Sequence, residues 1–245
     1  MLTAIFVYRN KMDGANDIFG LAIQDYLKGE RGNIIHVNTN LTENEELPVD
    51  YLFRTEEELP EWEKLALQLC KGKVLDVGAG AGCHSKILQN HAIDVLAIDI
   101  APIAVENMLV QGIRAQHQDF YTMEGKFDTL LFLMNGIGMA QTIKNLPKLL
   151  EKAKSLLNPQ GQILLESSDI IYMFEEEDGS FLIDLNADYY GEMEYEISYK
   201  GHIGTPFPWL YVGYELLEDY AHKAGFTSEL LFTATGHNYL ARLSL

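Results

Sequence analysis

Apolar positions along this chain follow two rhythms, and the points where one gives way to the other mark the predicted elements. Continuous apolar runs, suited to strands covered on both faces, fall at Lys73–Val77, Ile93–Ile98, Ile113–Gln118, Phe127–Met134 and Gln162–Glu166. Between them, helical spacing predicts helices over 60–71, 83–89, 102–110 and roughly Ala140–Leu157, with Pro60 and Pro102 at two starts and Gly72 and Gly112 at two stops. This alternation predicts an α/β fold with a doubly wound, mostly parallel sheet, brought to seven strands by Glu229–Ala234 and Asn238–Leu243 after a helix over Tyr214–Ala224.

Two stretches depart from that rhythm. Apolar residues from Ile18 to Leu27 predict an amphipathic helix within 13–28, followed by a short apolar piece at Ile34–Val37 and an acidic, proline-containing stretch, Leu41–Pro48, that reads as a loop. Residues 1–60 therefore read as an N-terminal helical arm, either a cap over a ligand cleft or a helix packed on the core. From 169 to 212 the pattern breaks again. Met193, Tyr195, Ile197 and Tyr199 alternate with polar residues as in a half-exposed strand, and Phe207, Trp209 and Tyr211 follow. This insert after the fifth strand fits a substrate-side lid and a packing face equally well.

The stretch Asp76-Val-Gly-Ala-Gly-Ala-Gly82 joins the first buried strand to a helix. Glycines there permit positive φ, or let the backbone touch a ligand where a Cβ would collide, and a carboxylate inside the strand requires a partner. Two further acids, Asp99 and Asp119, close the next two strands, where doubly wound sheets bind ligands. Asp99 sits where an acid can accept from both hydroxyls of a ribose.

The acidic-x-Gly-x-Gly-x-Gly spacing resembles the signature of class I S-adenosylmethionine (SAM) methyltransferases, and the Gln118-Asp-Phe120 segment strengthens the likeness over about Glu61–Ser168. The resemblance implies a Rossmann-like methyltransferase domain over 61–245, SAM as cofactor and methyl transfer by direct displacement. It further implies that Gly78, Ala79 and Gly80 hold the methionine part beside Asp76, and that Asp99 grips the ribose. Ile100 would lie on one adenine face, Asp119 and Phe120 would meet the ring's edge, and Met134 and Asn135 would line the cleft near the sulfonium. Many relatives carry serine where Ala101 stands, which removes one hydrogen bond. Asn135-Gly-Ile-Gly also departs from the Pro-Pro-aromatic motif of enzymes that methylate nucleobase amines. No catalytic residue is assigned; His84, Tyr121 and Asn135 are candidates for contacting a nucleophile, with a solvated polar role as the alternative for the first two.

A dinucleotide fold needs Gly-x-Gly-x-x-Gly, and here Cys83 occupies the third glycine's place. An NAD-dependent oxidoreductase is accordingly only the runner-up enzyme, and a non-catalytic SAM-binding sensor or partner subunit is the alternative outside catalysis. The net charge of −18 repels a phosphate backbone, so a small-molecule acceptor is expected rather than nucleic acid. Two cysteines, Cys70 and Cys83, are too few for a disulfide framework, and the seven histidines show no metal-ligand spacing, so no metal is expected. The short apolar stretch Ala4–Val7 lacks the flanks of a signal peptide and no run is long enough to span a bilayer, so no membrane partner and a cytoplasmic location are expected.

Overall fold

A computed structural model describes residues 17–183, 188–235 and 237–245; Ala4–Val7 and the first residues of the expected 13–28 helix lie outside them. A seven-stranded sheet runs in the spatial order Thr227–Thr233, Asn238–Ser244, Leu157–Ser168, Phe127–Phe132, Lys73–Val77, Asp94–Asp99 and Ala115–His117, the order expected when parallel β–α units are finished by an antiparallel pair. The chain divides into two compact units, residues 1–59, 72–124 and 195–207 in one, and 60–71, 125–194 and 208–245 in the other.

In the first unit β3 (Lys73–Val77), α3 (Cys83–Asn90), β4 (Asp94–Asp99), α4 (Pro102–Val110) and β5 (Ala115–His117) form the parallel core. β3 pairs in parallel with β4, and β4 with β5. Val74 and Leu75 are fully buried, as their unbroken apolar run requires. β5 is shorter than the predicted Ile113–Gln118: its polar residues Gln116 and His117 are exposed on an edge.

The N-terminal segment contributes α1 (Ile18–Leu27) and also a hairpin, β1 (Ile34–Thr39) with β2 (Glu45–Pro48). The strand β2 corrects the loop reading of Leu41–Pro48. Its Glu45 and Glu46 are exposed on an edge, where charge and a terminal proline are tolerated. β1 also pairs antiparallel with β8 (Glu192–Tyr199) from the far end of the chain, aligning Val37 with Ile197, and β8 turns back into β9 (His202–Ile203). Ile18, Ala22, Ile23, Ile35, Ile197 and Tyr199 bury one core that reaches Ala81, Ala101 and Ala104. The Lys200 ammonium bonds Asp25 at 2.7 Å and also Glu30.

The second unit holds α2 (Glu61–Leu69), β6 (Phe127–Phe132), α5 (Leu146–Leu156), β7 (Leu157–Ser168), β10 (Phe207–Leu210), α6 (Tyr214–Lys223), β11 (Thr227–Thr233) and β12 (Asn238–Ser244). β6 pairs in parallel with β7, while β12 pairs antiparallel with β7 and β11. The predicted 140–157 helix is only α5. Short 3-10 turns at Gly136–Ala140 and Ile143–Asn145 precede it, and Gln141 has φ 70°. Pro147 explains the late start: lacking an N–H, it sits in the first helical turn and cannot be crossed by a helix begun upstream.

Candidate active site

β3 delivers Asp76 into the interior at 2% exposure, and the Ser85 hydroxyl at the start of α3 donates to its Oδ2 at 2.7 Å. The partner that a buried carboxylate needs is thus supplied from within the chain. Burial pushes the Asp76 carboxyl above its ordinary range, opposed by His84 and Ser85. His84, offered as a contact for a nucleophile or as a solvated or cap-region side chain, lies buried in the first turn of α3.

All three loop glycines have positive φ, 71° at Gly78, 57° at Gly80 and 82° at Gly82, but for different reasons. A Cβ on Gly82 would stand 2.7 Å from Ile113 Cδ1 and 2.9 Å from Met108 Cγ, so that glycine serves packing. A Cβ on Gly80 would meet nothing within 4 Å. The loop is anchored by the amides of Gly78 and Ala79, which donate to the Ile98 carbonyl at 2.9 and 3.1 Å.

Asp99 closes β4 and holds the loop from the other side. Its Oδ2 accepts from Gly80 N at 2.8 Å and its Oδ1 from Ala101 N at 2.9 Å. A carboxylate offers about four lone-pair sites, so the amides of Gly80 and Ala101, with that of Ile100 also turned toward it, leave capacity for a further donor. Burial pushes the Asp99 carboxyl upward, opposed by the amides of Ala101 and Gly80, with the Asp17 charge adding to the rise. Asp119 lies two residues past β5 and caps a 3-10 turn, Phe120–Thr122, its Oδ1 accepting from Tyr121 N at 2.8 Å. Phe120 is buried, and the Tyr121 ring stands edge-on to it at 5.6 Å. Gln118 N donates to the Asp99 carbonyl at 2.9 Å and a His117 ring nitrogen lies 3.0 Å from the Ile100 carbonyl, which brings the segments after β4 and β5 together.

In the second unit, Met134 and Asn135 follow β6 with φ of 51° and 54°, two consecutive residues in a region most side chains avoid. The neighbouring strand holds them there. Glu166 Oε2 accepts from Met134 N at 2.8 Å, Ser167 Oγ donates to Asn135 Oδ1 at 2.7 Å, and Asn135 Nδ2 donates to the Leu210 carbonyl at 3.2 Å. The Asn135 amide is thereby buried and engaged, while Met134 stays partly exposed. Glu166 and Ser167 escaped the sequence reading, because inside an apolar strand they look like its polar end. Beyond β7, Tyr190 donates to Asp169 Oδ1 at 2.7 Å. Burial, with Tyr189 and Asp169 beside it, holds the Tyr190 phenol protonated well above its usual range.

The profile of a family described as a methyltransferase domain matches residues 51–229. A SAM-dependent methyltransferase from Bacteroides fragilis, solved with S-adenosyl-L-homocysteine, superposes with a TM-score of 0.89 at 39% identity, covering 95% of this chain and 96% of that one. The chain belongs to the SAM-dependent methyltransferase family. The fold of this methyltransferase extends to distant solved structures. CalS10 of Micromonospora echinaspora, an amino pentose methyltransferase of calicheamicin biosynthesis solved with SAM, gives a TM-score of 0.55 at 16% identity, covering 83% of this chain and all 100% of that one. The CcbJ methyltransferase of Streptomyces caelestis gives 0.59 at 14% identity, covering 78% of this chain and 92% of that one. Those two likenesses concern the fold alone. Comparison with curated proteins finds no match. The oxidoreductase alternative is set aside by the family assignment, and no described helix of this methyltransferase is long and apolar enough to cross a membrane.

Proposed function

We propose that this methyltransferase transfers a methyl group from SAM to a small-molecule acceptor, and that the cofactor is held by the residues around the glycine loop. The observation that carries the assignment is the double anchoring of Asp99 by Gly80 N and Ala101 N, which presents a carboxylate with unused lone pairs at the end of β4. In this reading Asp99 accepts from the ribose hydroxyls, and Gly78, Ala79 and Gly80 line the methionine part next to Asp76. Ile100, Asp119 and Phe120 receive the adenine, and Met134 and Asn135 shape the cleft near the sulfonium. The open space at the Cβ position of Gly80 supports a backbone face that a ligand approaches. The Asn135 side chain acts as scaffold here, since both ends of its amide are engaged.

When bound, SAM supplies an electrophilic methyl on a sulfonium, and displacement depends mainly on alignment and a suitably polar, dry site. Direct displacement requires no dedicated general base, and none is assigned here. Residues 1–60 serve as an arm on the 61–245 domain, and 169–212 as its acceptor-side insert. The net charge of −18 favours a small acceptor over nucleic acid.

Calorimetry with SAM, its demethylated product and NADH tests the cofactor site in the wild type and in Asp99→Ala. Both sulfur ligands should bind the wild type and NADH should not. Asp99→Ala should bind SAM more weakly by at least the ~1.5–3 kcal/mol of one charge-assisted hydrogen bond. It should also melt lower, because the Gly80 and Ala101 amides lose their acceptor. Unchanged affinity in the variant removes Asp99 from the ribose role. Labelled-methyl transfer to a metabolite panel, compared with transfer to proteins and nucleic acids, tests the acceptor class.

A further inference from the structure

Helix α4 begins with Pro102 at its first turn, and Ala101 before it has no side chain able to cap the free amides. The cap comes instead from a residue more than eighty positions upstream. Asp17 Oδ2 accepts from Ile103 N at 2.8 Å and from Ala104 N at 3.4 Å, while its Oδ1 accepts from Gly20 N at 2.6 Å in the first turn of α1. One carboxylate, 1% exposed, thus caps two helices. Gly20 makes this possible, since a Cβ there would stand 2.4 Å from Asp17 Oδ2, and its carbonyl accepts from Asn107 Nδ2 of α4 at 3.3 Å.

We infer that Asp17 is a positioning residue for the cofactor: it fixes the start of α4 and, through Pro102 and Ala101, the backbone that orients Asp99. The path is short. Asp17 holds Ile103, the next residues back are Pro102 and Ala101, and Ala101 N donates to the Asp99 carboxylate, whose other oxygen takes Gly80 N. Arm docking and ribose recognition are then linked, and by reciprocity cofactor binding tightens the arm. The inference rests on the ribose role of Asp99 proposed above.

The test titrates S-adenosyl-L-homocysteine into Asp17→Ser, Asp99→Ala and the double variant Asp17→Ser/Ala101→Ser. Serine at 17 can still cap α1 but its single short hydroxyl cannot also reach α4, so affinity should fall about tenfold, as for one charge-assisted hydrogen bond. Serine at 101 lies at the capping position with extended backbone and should restore the affinity while the melting temperature stays lowered. The single variant Ala101→Ser should keep wild-type affinity; a gain there means that its hydroxyl meets the ligand directly, and the rescue then no longer supports the inference. An affinity that Ala101→Ser does not rescue means the loss came from the arm's fold, and the inference fails. Unchanged affinity in Asp17→Ser with loss in Asp99→Ala overturns the role of Asp17 and leaves the ribose assignment standing; unchanged affinity in Asp99→Ala overturns both. Hydrogen exchange on the wild-type protein tests the same link without a variant: S-adenosyl-L-homocysteine should slow exchange at the Gly20 and Ile103 amides, and an unaltered rate at both refutes it.

Discussion

Replacing Gly80 by valine separates a backbone position that faces a ligand from one that merely turns the chain. Gly80 has φ 57° and open space where a Cβ would point, so the folded protein loses only the strain of a β-branched residue at positive φ, ~1–3 kcal/mol. For a chain of this size that lowers the melting temperature by roughly 2–4 °C per kcal/mol. Ligand linkage sets the second readout. With SAM at a hundred times its dissociation constant the wild type gains ~2.7 kcal/mol, whereas a hundredfold loss of affinity leaves the variant only ~0.4 kcal/mol. The SAM-induced shift should therefore shrink from roughly 5–11 °C to about 1 °C. Gly112→Val is the control, because Gly112 has φ 75°, also with nothing within 4 Å of a Cβ, but follows α4 at its far end. Differential scanning calorimetry with and without SAM should show both variants melting lower and only Gly80→Val losing the ligand shift. A full shift in Gly80→Val would mean that the loop does not face the cofactor, and the site would have to be rebuilt elsewhere.

Asp76 carries a pH prediction. Its carboxyl is raised in the folded state chiefly by burial, so its contribution is most favourable when protonated and is lost as pH rises above the unfolded value of ~3.9. Asp76→Asn should accordingly raise the ligand-free melting temperature at pH 7 relative to wild type, with the gain shrinking toward pH 4, and a gain that grows on acidification contradicts the burial argument. Gly138→Ala should destabilise by ~1–3 kcal/mol through overpacking, because its Cβ would stand 2.1 Å from Trp209 Nε1; denaturant unfolding with an unmoved midpoint would show that the indole yields freely.

The parallel half of the fold was legible because its signals are local. Unbroken apolar strands, prolines at helix starts and glycines at helix ends coincide within a few residues, so α2, β3, α3, β4 and α4 fall close to their predicted places. Leu41–Pro48 was misread because β2 is a strand only by virtue of β1, and nothing in its acidic composition announces that pairing. The 140–157 helix was overdrawn because apolar spacing persists through Pro147, where backbone chemistry overrides it. Among the site residues, Asp99 and Asp119 stood out as acids ending strands. Asp17 could not, since the amides that give it meaning belong to residues 103 and 104.

The pairing of β1 with β8 also bears on how the chain is made. Residues 36–39 find their partners only at 195–198, so on a ribosome adding about 5–20 residues per second the outer edge of β1 waits roughly 8–32 s before its partner strand exists. Throughout that interval β1 and β2 form a two-stranded hairpin with an unpaired edge, a species marginal in water and open to pairing with other chains. The exposed Glu45 and Glu46 on β2 charge one side of that hairpin, whereas the stretch of β1 that receives β8, His36–Thr39, includes no carboxylate. Slower synthesis or less nascent-chain protection should then lower its yield of correctly folded chains even where the stability of the finished protein is unchanged.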